Sequence, residues 1–112
     1  MKGRAASLDV VAFGEVLWDI FELDAPRDPA RRRFERLLGG SPANVATVIA
    51  RLGATCAIVG GIGKDRFGQA LEEHLANDGV ETRHLVRLPN RTGVTFISRN
   101  ARGEPAFLFY RH

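Results

Sequence analysis

Short apolar runs alternate with two amphipathic helical segments along this chain, and this order constrains its fold more than any other feature. Residues 8–14 read LDVVAFG, a valine-rich run that ends in glycine and predicts a buried strand. A second strand is predicted over 54–63 and a third over 80–86, each after a helical segment. The order strand, helix, strand, helix, strand is typical of right-handed βαβ crossovers. The sequence therefore predicts an α/β fold with a mainly parallel sheet and helices on its faces.

Each helical segment carries signals for its start and its end. In the first segment Ser41 is the predicted N-cap, Pro42 suits the first helical position, and Gly53 suits the position after the last turn. Its predicted apolar face consists of Val45, Val48, Ile49 and Leu52. The second helix is predicted over Arg66 to Asn77, with Asp65 as its N-cap. Its predicted apolar face consists of Phe67, Ala70, Leu71 and Leu75.

Two further segments do not follow this alternation. Residues 92–99 and 105–111 are apolar runs that flank the polar link NARGE, which predicts a β-hairpin. Residues 24–36 contain two prolines and an arginine cluster, and they predict an irregular or hairpin-like excursion. Both segments are expected to form a separate small β-layer. The arginine cluster favours a solvated face or mobile loop over the alternative of a nucleic-acid patch, because no known nucleic-acid-binding motif accompanies it.

Composition excludes several classes of protein. Cys56 is the only cysteine, so no internal disulfide can form, and a reducing cytoplasm is the expected compartment. The three histidines, His74, His84 and His112, lack metal-ligand spacing, so no zinc site is expected. The longest apolar runs are too short to span a bilayer, so no membrane partner is expected.

The glycine-rich segments exclude the two commonest nucleotide-binding motifs. A P-loop that ended in the Gly63–Lys64 pair of GGIGKDRFG would need glycine at position 58 and Ser or Thr at position 65, but these residues are Ile58 and Asp65. A dinucleotide fingerprint that began at Gly61 would need glycine at position 66, where Arg66 stands. The pair Gly39–Gly40 directly precedes the first helix, where glycine lets a ligand lie close to the backbone. Spacing alone leaves two interpretations open: a ligand site that includes Asn44, or a tight turn in which Asn44 helps to cap the helix.

A joint pattern of motifs resembles the pfkB-type carbohydrate kinases of the ribokinase-like superfamily. The family's N-terminal signature is filled completely by Gly39, Gly40, Pro42, Asn44, Ala46, Gly53 and Gly63. The segments GEVLWDIF and GGIGKDRFG resemble two further family segments, and TGVTFISRNARGEPAFLFYRH resembles the lid hairpin of fructokinases. The resemblance covers residues 9–112. It implies the N-terminal part of a ribokinase-like three-layer fold, with lid elements at about 21–36 and 92–111.

The resemblance also implies roles for individual residues. Asp19 would accept hydrogen bonds from sugar hydroxyls, and Asn44 would bond another hydroxyl. Gly39 and Gly40 would form the close floor of the sugar pocket. Arg111 would reach the substrate from the lid side, although its position equally suits an exposed arginine at a strand end. Glu15 would be a supporting residue beside the site.

The reaction implied for the whole family is transfer of the γ-phosphoryl group of ATP to a sugar hydroxyl, with Mg²⁺ beside the ATP. The family's catalytic base lies in a later Gly-Ala-Gly-Asp motif, which these 112 residues do not contain. No catalytic or metal-binding residue is therefore expected here, and no ATP binding by this segment alone. The expected substrate is fructose or a similar sugar, with ribokinase or 2-keto-3-deoxygluconate kinase as alternatives. The expected partner is a second copy, paired through the lid; a non-catalytic binding or dimerisation module is the alternative function.

Overall fold

A computed structural model describes residues 7–23 and 30–111 of the chain. Within these residues the chain forms seven strands and two helices. In chain order they are β1 (Val10–Phe13), β2 (Leu17–Glu22), β3 (Phe34–Gly39), α1 (Ser41–Arg51), β4 (Cys56–Gly63), α2 (Arg66–Asn77), β5 (Leu85–Leu88), β6 (Val94–Arg99) and β7 (Pro105–Tyr110). The predicted alternation of strands and helices is confirmed, with the pair β2–β3 inserted after the first strand.

The strands form two sheets. The core sheet has the order β1-β4-β5, and both of its pairings are parallel. The second sheet, called the lid sheet here, has the order β3-β2-β6-β7. In the lid sheet β2 and β6 are parallel, whereas the outer pairs β2–β3 and β6–β7 are antiparallel. The predicted parallel sheet, the hairpin and the separate β-layer are confirmed.

Both helices pack against one face of the core sheet. Ala12 of β1 and Ile58 of β4 share a buried cluster with Ala43 of α1 and Leu71 of α2. The opposite face of β1 carries Phe13, which is 80% exposed. The structure therefore shows two layers of the expected α/β arrangement. No helix within residues 7–23 and 30–111 combines the length and the apolar character needed to cross a bilayer.

The helix ends are built largely as the sequence predicts. Gly53 follows α1 with φ of 96°, and its N–H donates to the Ala50 carbonyl at 3.0 Å. This is the left-handed C-terminal turn that glycine favours. Asp65 caps α2, because its carboxylate accepts from the Gly68 N–H at 2.7 Å. The prediction that Ser41 is an N-cap is wrong: Ser41 is the first residue of α1, and Gly40 precedes the helix without a side-chain cap.

The predicted apolar face of α1 is also largely wrong. Val45, Val48 and Leu52 are more than half exposed, and only Ile49 packs against the core. The buried residues of this helix are Ala43, Ala46 and Thr47. Small side chains let the helix backbone approach the sheet closely, so the helix turns its alanine face inward and the larger valines outward.

Two predicted boundaries shift in the structure. The third strand of the core sheet spans Leu85–Leu88 rather than 80–86, because a turn joins the Leu85 N–H to the Thr82 carbonyl at 3.0 Å. Ahead of this turn, only Glu81 bridges to the sheet, at Ala57. The excursion predicted over 24–36 includes residues 24–29, which lie outside the described residues. Its remaining part leads into β3, which extends to Gly39.

Candidate ligand-binding site

The chain crosses from the core sheet to the lid sheet at Gly14 and Glu15. Gly14 has φ of 144°, and its N–H donates to the Val59 carbonyl at 3.0 Å, which ties the crossing to β4. The Glu15 carbonyl then lies so close to Gly40 that a Cβ on Gly40 would overlap it. Gly40 has φ of 93°, a conformation that residues with side chains rarely adopt. The glycine at this position is therefore required both by its conformation and by the space around it.

The Asp19 carboxylate lies directly over Gly39. A Cβ on Gly39 would stand 2.6 Å from the Asp19 Cγ, so glycine makes room for this carboxylate. Desolvation raises the pKa of Asp19 above its ordinary value, and the negative charge of Glu15 raises this pKa further. No group among the described residues donates a hydrogen bond to the Asp19 carboxylate. Asp19 is therefore a half-buried acceptor that is available to a ligand.

The N-terminus of α1 begins at the same glycine pair. The Asn44 N–H donates to the Gly40 carbonyl at 3.0 Å, which closes the first helical turn. Because no side chain caps this end, the earlier N–H groups of the helix have no side-chain acceptor. These groups, together with the positive end of the helix dipole, favour ligand oxygens near Gly40.

Arg111 lies at the end of the lid hairpin and contacts Glu15. Its Nη1 donates to Glu15 Oε1 at 2.8 Å, and its Cζ lies 4.5 Å from the centre of the Phe109 ring. Both charged side chains line a cavity of about 310 Å³, together with Thr92 and Gly93 at the start of the lid hairpin. A cavity of this size suits a small molecule. The side chain of Arg111 is therefore not a free strand-end arginine but one wall of this cavity.

Asn44 faces a different cavity from Arg111. This second cavity, of about 430 Å³, lies between α1 and β3, and Trp18, Arg36 and His74 also line it. Trp18 is only 2% exposed, and its Nε1 donates to the Phe67 carbonyl at 2.9 Å. The guanidinium of Arg36 lies over the Trp18 ring at 4.1 Å, where a cation is attracted to the aromatic face.

The structure thus brings three of the five sequence-predicted site residues to Glu15, namely Asp19, Gly40 and Arg111. Gly39 lies under Asp19, and Asn44 lies along a separate cavity. Glu15 contacts Gly40 through its carbonyl and Arg111 through its carboxylate, and its charge acts on Asp19. The family resemblance implied only a supporting role for Glu15, and no spacing rule links residues 15 and 111. Within the described residues, no group of three or more His, Cys, Asp or Glu side chains is arranged to hold a metal ion.

The arrangement suits recognition of a hydroxyl-rich molecule. A half-buried carboxylate accepts hydrogen bonds from hydroxyls, free helical N–H groups bind ligand oxygens, and an arginine donates several further hydrogen bonds. The site therefore has the chemistry to bind and orient a polyol.

Comparison with known proteins agrees with this chemistry. The sequence model of the pfkB family carbohydrate kinases matches residues 7–112. Fructokinase-1 of Oryza sativa subsp. japonica is 41% identical over 114 residues, which cover all of this chain and 35% of that protein. The crystal structure of fructokinase from Xylella fastidiosa matches with a TM-score of 0.86 and 39% identity, over 91% of this chain and 32% of that one. The same fructokinase has also been solved with bound ATP, and that structure matches with a TM-score of 0.85. This chain spans about a third of the length of the relatives it matches.

Proposed function

Because this chain belongs to the pfkB family of carbohydrate kinases, we propose that it forms the sugar-binding and lid portion of an ATP-dependent sugar kinase. The whole enzyme would transfer the γ-phosphoryl group of ATP to a sugar hydroxyl, with Mg²⁺ beside the nucleotide. One observation supports this most directly: the half-buried Asp19 carboxylate lies over Gly39 and accepts no hydrogen bond from the described residues. Desolvating a carboxylate without a partner is unfavourable, and sugar hydroxyls would provide the missing donors.

The substrate is proposed to be fructose or a similar neutral sugar. Arg111 already pairs with Glu15, so its positive charge is balanced within the protein. An anionic sugar acid would have to compete with Glu15 for Arg111 and approach the charge of Asp19. In addition, Phe109 stands two positions before the lid arginine, where 2-keto-3-deoxygluconate kinases often have tyrosine. Both features favour a neutral substrate.

Catalysis is proposed to need residues outside this segment. Phosphoryl transfer depends on positioning and on charge stabilisation at the phosphate, and the site described above supplies groups only for the sugar. We therefore expect residues 1–112 alone to give no turnover with ATP, Mg²⁺ and fructose in a coupled assay. The single cysteine is the basis for proposing a cytoplasmic location.

A chimeric enzyme tests the proposal directly. Residues 1–112 would replace the matching third of Oryza sativa fructokinase-1, to which they are 41% identical. We expect the chimera to phosphorylate fructose, and we expect Asp19→Ala to weaken fructose binding by about 1–3 kcal/mol, the range for a hydrogen bond to a charged group. Asp9→Ala is the matched control, because Asp9 is an exposed aspartate that hydrogen-bonds Thr55 instead.

Two results would contradict the proposal. A folded chimera without activity would show that this segment does not build a working sugar site. An active chimera in which Asp19→Ala and Asp9→Ala had equal, small effects would remove Asp19 from the site. A change of substrate preference from fructose to a sugar acid would favour the 2-keto-3-deoxygluconate kinase alternative.

A dimerisation role is favoured by a separate observation. Strand β7 lies at the edge of the lid sheet, and its apolar side chains Phe107, Leu108, Phe109 and Tyr110 are each about half exposed. An exposed apolar edge strand of this kind is a ready surface for pairing with another strand. We propose that two copies pair through this edge. Sedimentation at micromolar concentration should show a dimer, and a strict monomer would contradict this part of the proposal.

A further inference from the structure

The chain passes from the core sheet back to the lid sheet at Thr92. In space, Thr92 lies beside the N-terminus of α2, where it contacts Asp65. Thr92 is 6% exposed, and its N–H donates to Asp65 Oδ2 at 2.8 Å. Its hydroxyl donates to Asp65 Oδ1 at 2.6 Å and accepts from the Gly63 N–H at 3.0 Å. Asp65 is also the N-cap of α2, through the Gly68 N–H. One buried threonine and one carboxylate thus join the end of β4, the start of α2 and the start of the lid hairpin.

The glycines around this junction have no space for side chains. A Cβ on Gly63 would lie 2.7 Å from Asp65 Oδ2, and a Cβ on Gly68 would lie 2.9 Å from the Thr92 hydroxyl oxygen. Because Gly63 and Gly68 have no side chains, the Asp65 carboxylate and the Thr92 hydroxyl can approach the backbone at the start of α2. Burial alone would raise the pKa of Asp65, but hydrogen bonds from Thr92, Gly68 and Phe67 outweigh it and lower this pKa. The carboxylate is held in its ionised form, as a strong acceptor.

The position of Thr92 bears directly on Arg111. Gly93 is the next residue, and a Cβ built on it would stand 3.4 Å from the Arg111 Cβ. Val94 then pairs with Tyr110, the neighbour of Arg111, in the register of the lid hairpin. Thr92, Gly93 and Arg111 all line the cavity of about 310 Å³. Thr92 is therefore connected to Arg111 both through its neighbour Gly93 and through the pairing of the lid hairpin.

We infer that Asp65 and Thr92 form a lid anchor, which fixes the lid hairpin relative to the core sheet and so sets the position of Arg111 at the cavity. Asp65 and Thr92 would then be positioning residues, since they act through Arg111. The anchor itself does not depend on the reaction; its effect on sugar binding rests on the proposed function. If Asp65 is only a helix cap, removal of the Thr92 hydroxyl should leave the stability of the lid hairpin unchanged.

Hydrogen exchange of the backbone amides distinguishes these roles in the chain itself. In Thr92→Val, which keeps the shape but loses the hydroxyl, we expect the amides of β6 and β7 to exchange about tenfold faster than in the wild type, while those of β1 and β4 change little. Thr92→Ser should restore the wild-type rates, because serine keeps the hydroxyl. Thr55→Val is the matched control: Thr55 is held by Asp9 in the same way, at 2.9 Å and 3.1 Å, but outside the lid.

Three results would overturn the anchor. The first is that Thr92→Val leaves amide exchange in β6 and β7 unchanged. The second is that Thr92→Val accelerates exchange equally in the core sheet and the lid sheet, and the third is that Thr55→Val accelerates exchange in β6 and β7 as much as Thr92→Val does. If Thr92→Val fails to fold, Asp65→Asn gives the same test, since asparagine also caps helices well but lacks the charge that Thr92 bonds. Asp65→Asn should then accelerate exchange selectively in β6 and β7, and unchanged or uniform exchange would count against the anchor.

A second measurement links the anchor to the sugar site. In the chimeric kinase, Thr92→Val should raise the KM for fructose about tenfold and lower kcat less, because it displaces a binding group rather than the catalytic base. An unchanged KM, with lid exchange accelerated, would refute the link to Arg111. An inactive chimera with lid-selective exchange would refute the proposed function and leave the anchor in place.

Discussion

Replacing Gly40 with alanine tests the close approach on which the candidate site depends. Gly40 has φ of 93°, and its missing side chain makes room for the Glu15 carbonyl. Gly53 provides a matched control, because it has almost the same φ, 96°, but nothing lies within 4 Å of a Cβ built there. The two substitutions share a positive φ, and only the first adds a steric overlap.

The expected magnitudes follow from these two contributions. A non-glycine residue held at positive φ costs on the order of 1–3 kcal/mol, and both variants carry this cost. Forcing an extra carbon into a packed site typically costs about 1–3 kcal/mol more, and only Gly40→Ala carries it. The free energy of unfolding should therefore fall further in Gly40→Ala than in Gly53→Ala, by about 1–3 kcal/mol.

Urea denaturation followed by far-ultraviolet circular dichroism measures this difference. With a slope of about 1–3 kcal/mol per molar for a small protein, the unfolding midpoint of Gly40→Ala should lie roughly 1 M below that of Gly53→Ala. Equal midpoints would refute the reasoning, because they would show that Glu15 does not press against Gly40. A lower midpoint for Gly53→Ala would show that conformational strain, and not the overlap, dominates.

Three further predictions concern charged and polar groups. Burial and the charge of Glu15 raise the pKa of Asp19, so ionisation of Asp19 destabilises the folded state once the pH rises above its ordinary value of 3.8. The stability advantage of Asp19→Asn over the wild type should therefore grow from pH 3 to pH 7, and an advantage in thermal unfolding that does not grow would contradict this. Trp18→Phe removes the donor to the Phe67 carbonyl and should cost about 1–3 kcal/mol in urea denaturation, whereas a negligible cost would mean that water replaces the bond. Arg111→Met breaks an exposed ion pair with Glu15 and should change the free energy of unfolding by less than about 1 kcal/mol while weakening sugar binding; a larger loss of stability would make Arg111 structural.

Local signals in the sequence predicted the parts of the fold that depend on a few neighbouring residues. Gly53 and Asp65 mark helix ends because positive φ and side-chain capping are requirements of one or two positions. The lid hairpin followed from two apolar runs and a polar link. The family resemblance implied that Asp19 and the glycine pair share one sugar pocket, and in the structure Gly39 lies under the Asp19 carboxylate.

Features that depend on packing between distant segments could not be predicted in this way. The helical spacing of larger apolar residues suggested the buried face of α1, but the alanine face packs on the sheet because small residues allow the closer approach. The hydrogen bonds between Asp65 and Thr92 join residues 27 positions apart, and no spacing rule connects them. For the same reason the Asn44 side chain, expected beside Asp19, lies along the cavity that contains Trp18.

The site lies where the chain passes between the two sheets, and this location explains the choice of residues there. The chain makes three such passages, at Gly14, Gly40 and Gly93, between the described strands and helices. At Gly40 the fit is closest, because the Glu15 carbonyl occupies the space that a Cβ would need, whereas a Cβ at Gly93 would make an ordinary contact with Arg111. A side chain at Gly40 would overlap the Glu15 carbonyl, which belongs to the crossing from the core sheet to the lid sheet. Glycine at position 40 therefore keeps Glu15 close to the start of α1, and Glu15 in turn holds Arg111 through their ion pair at 2.8 Å.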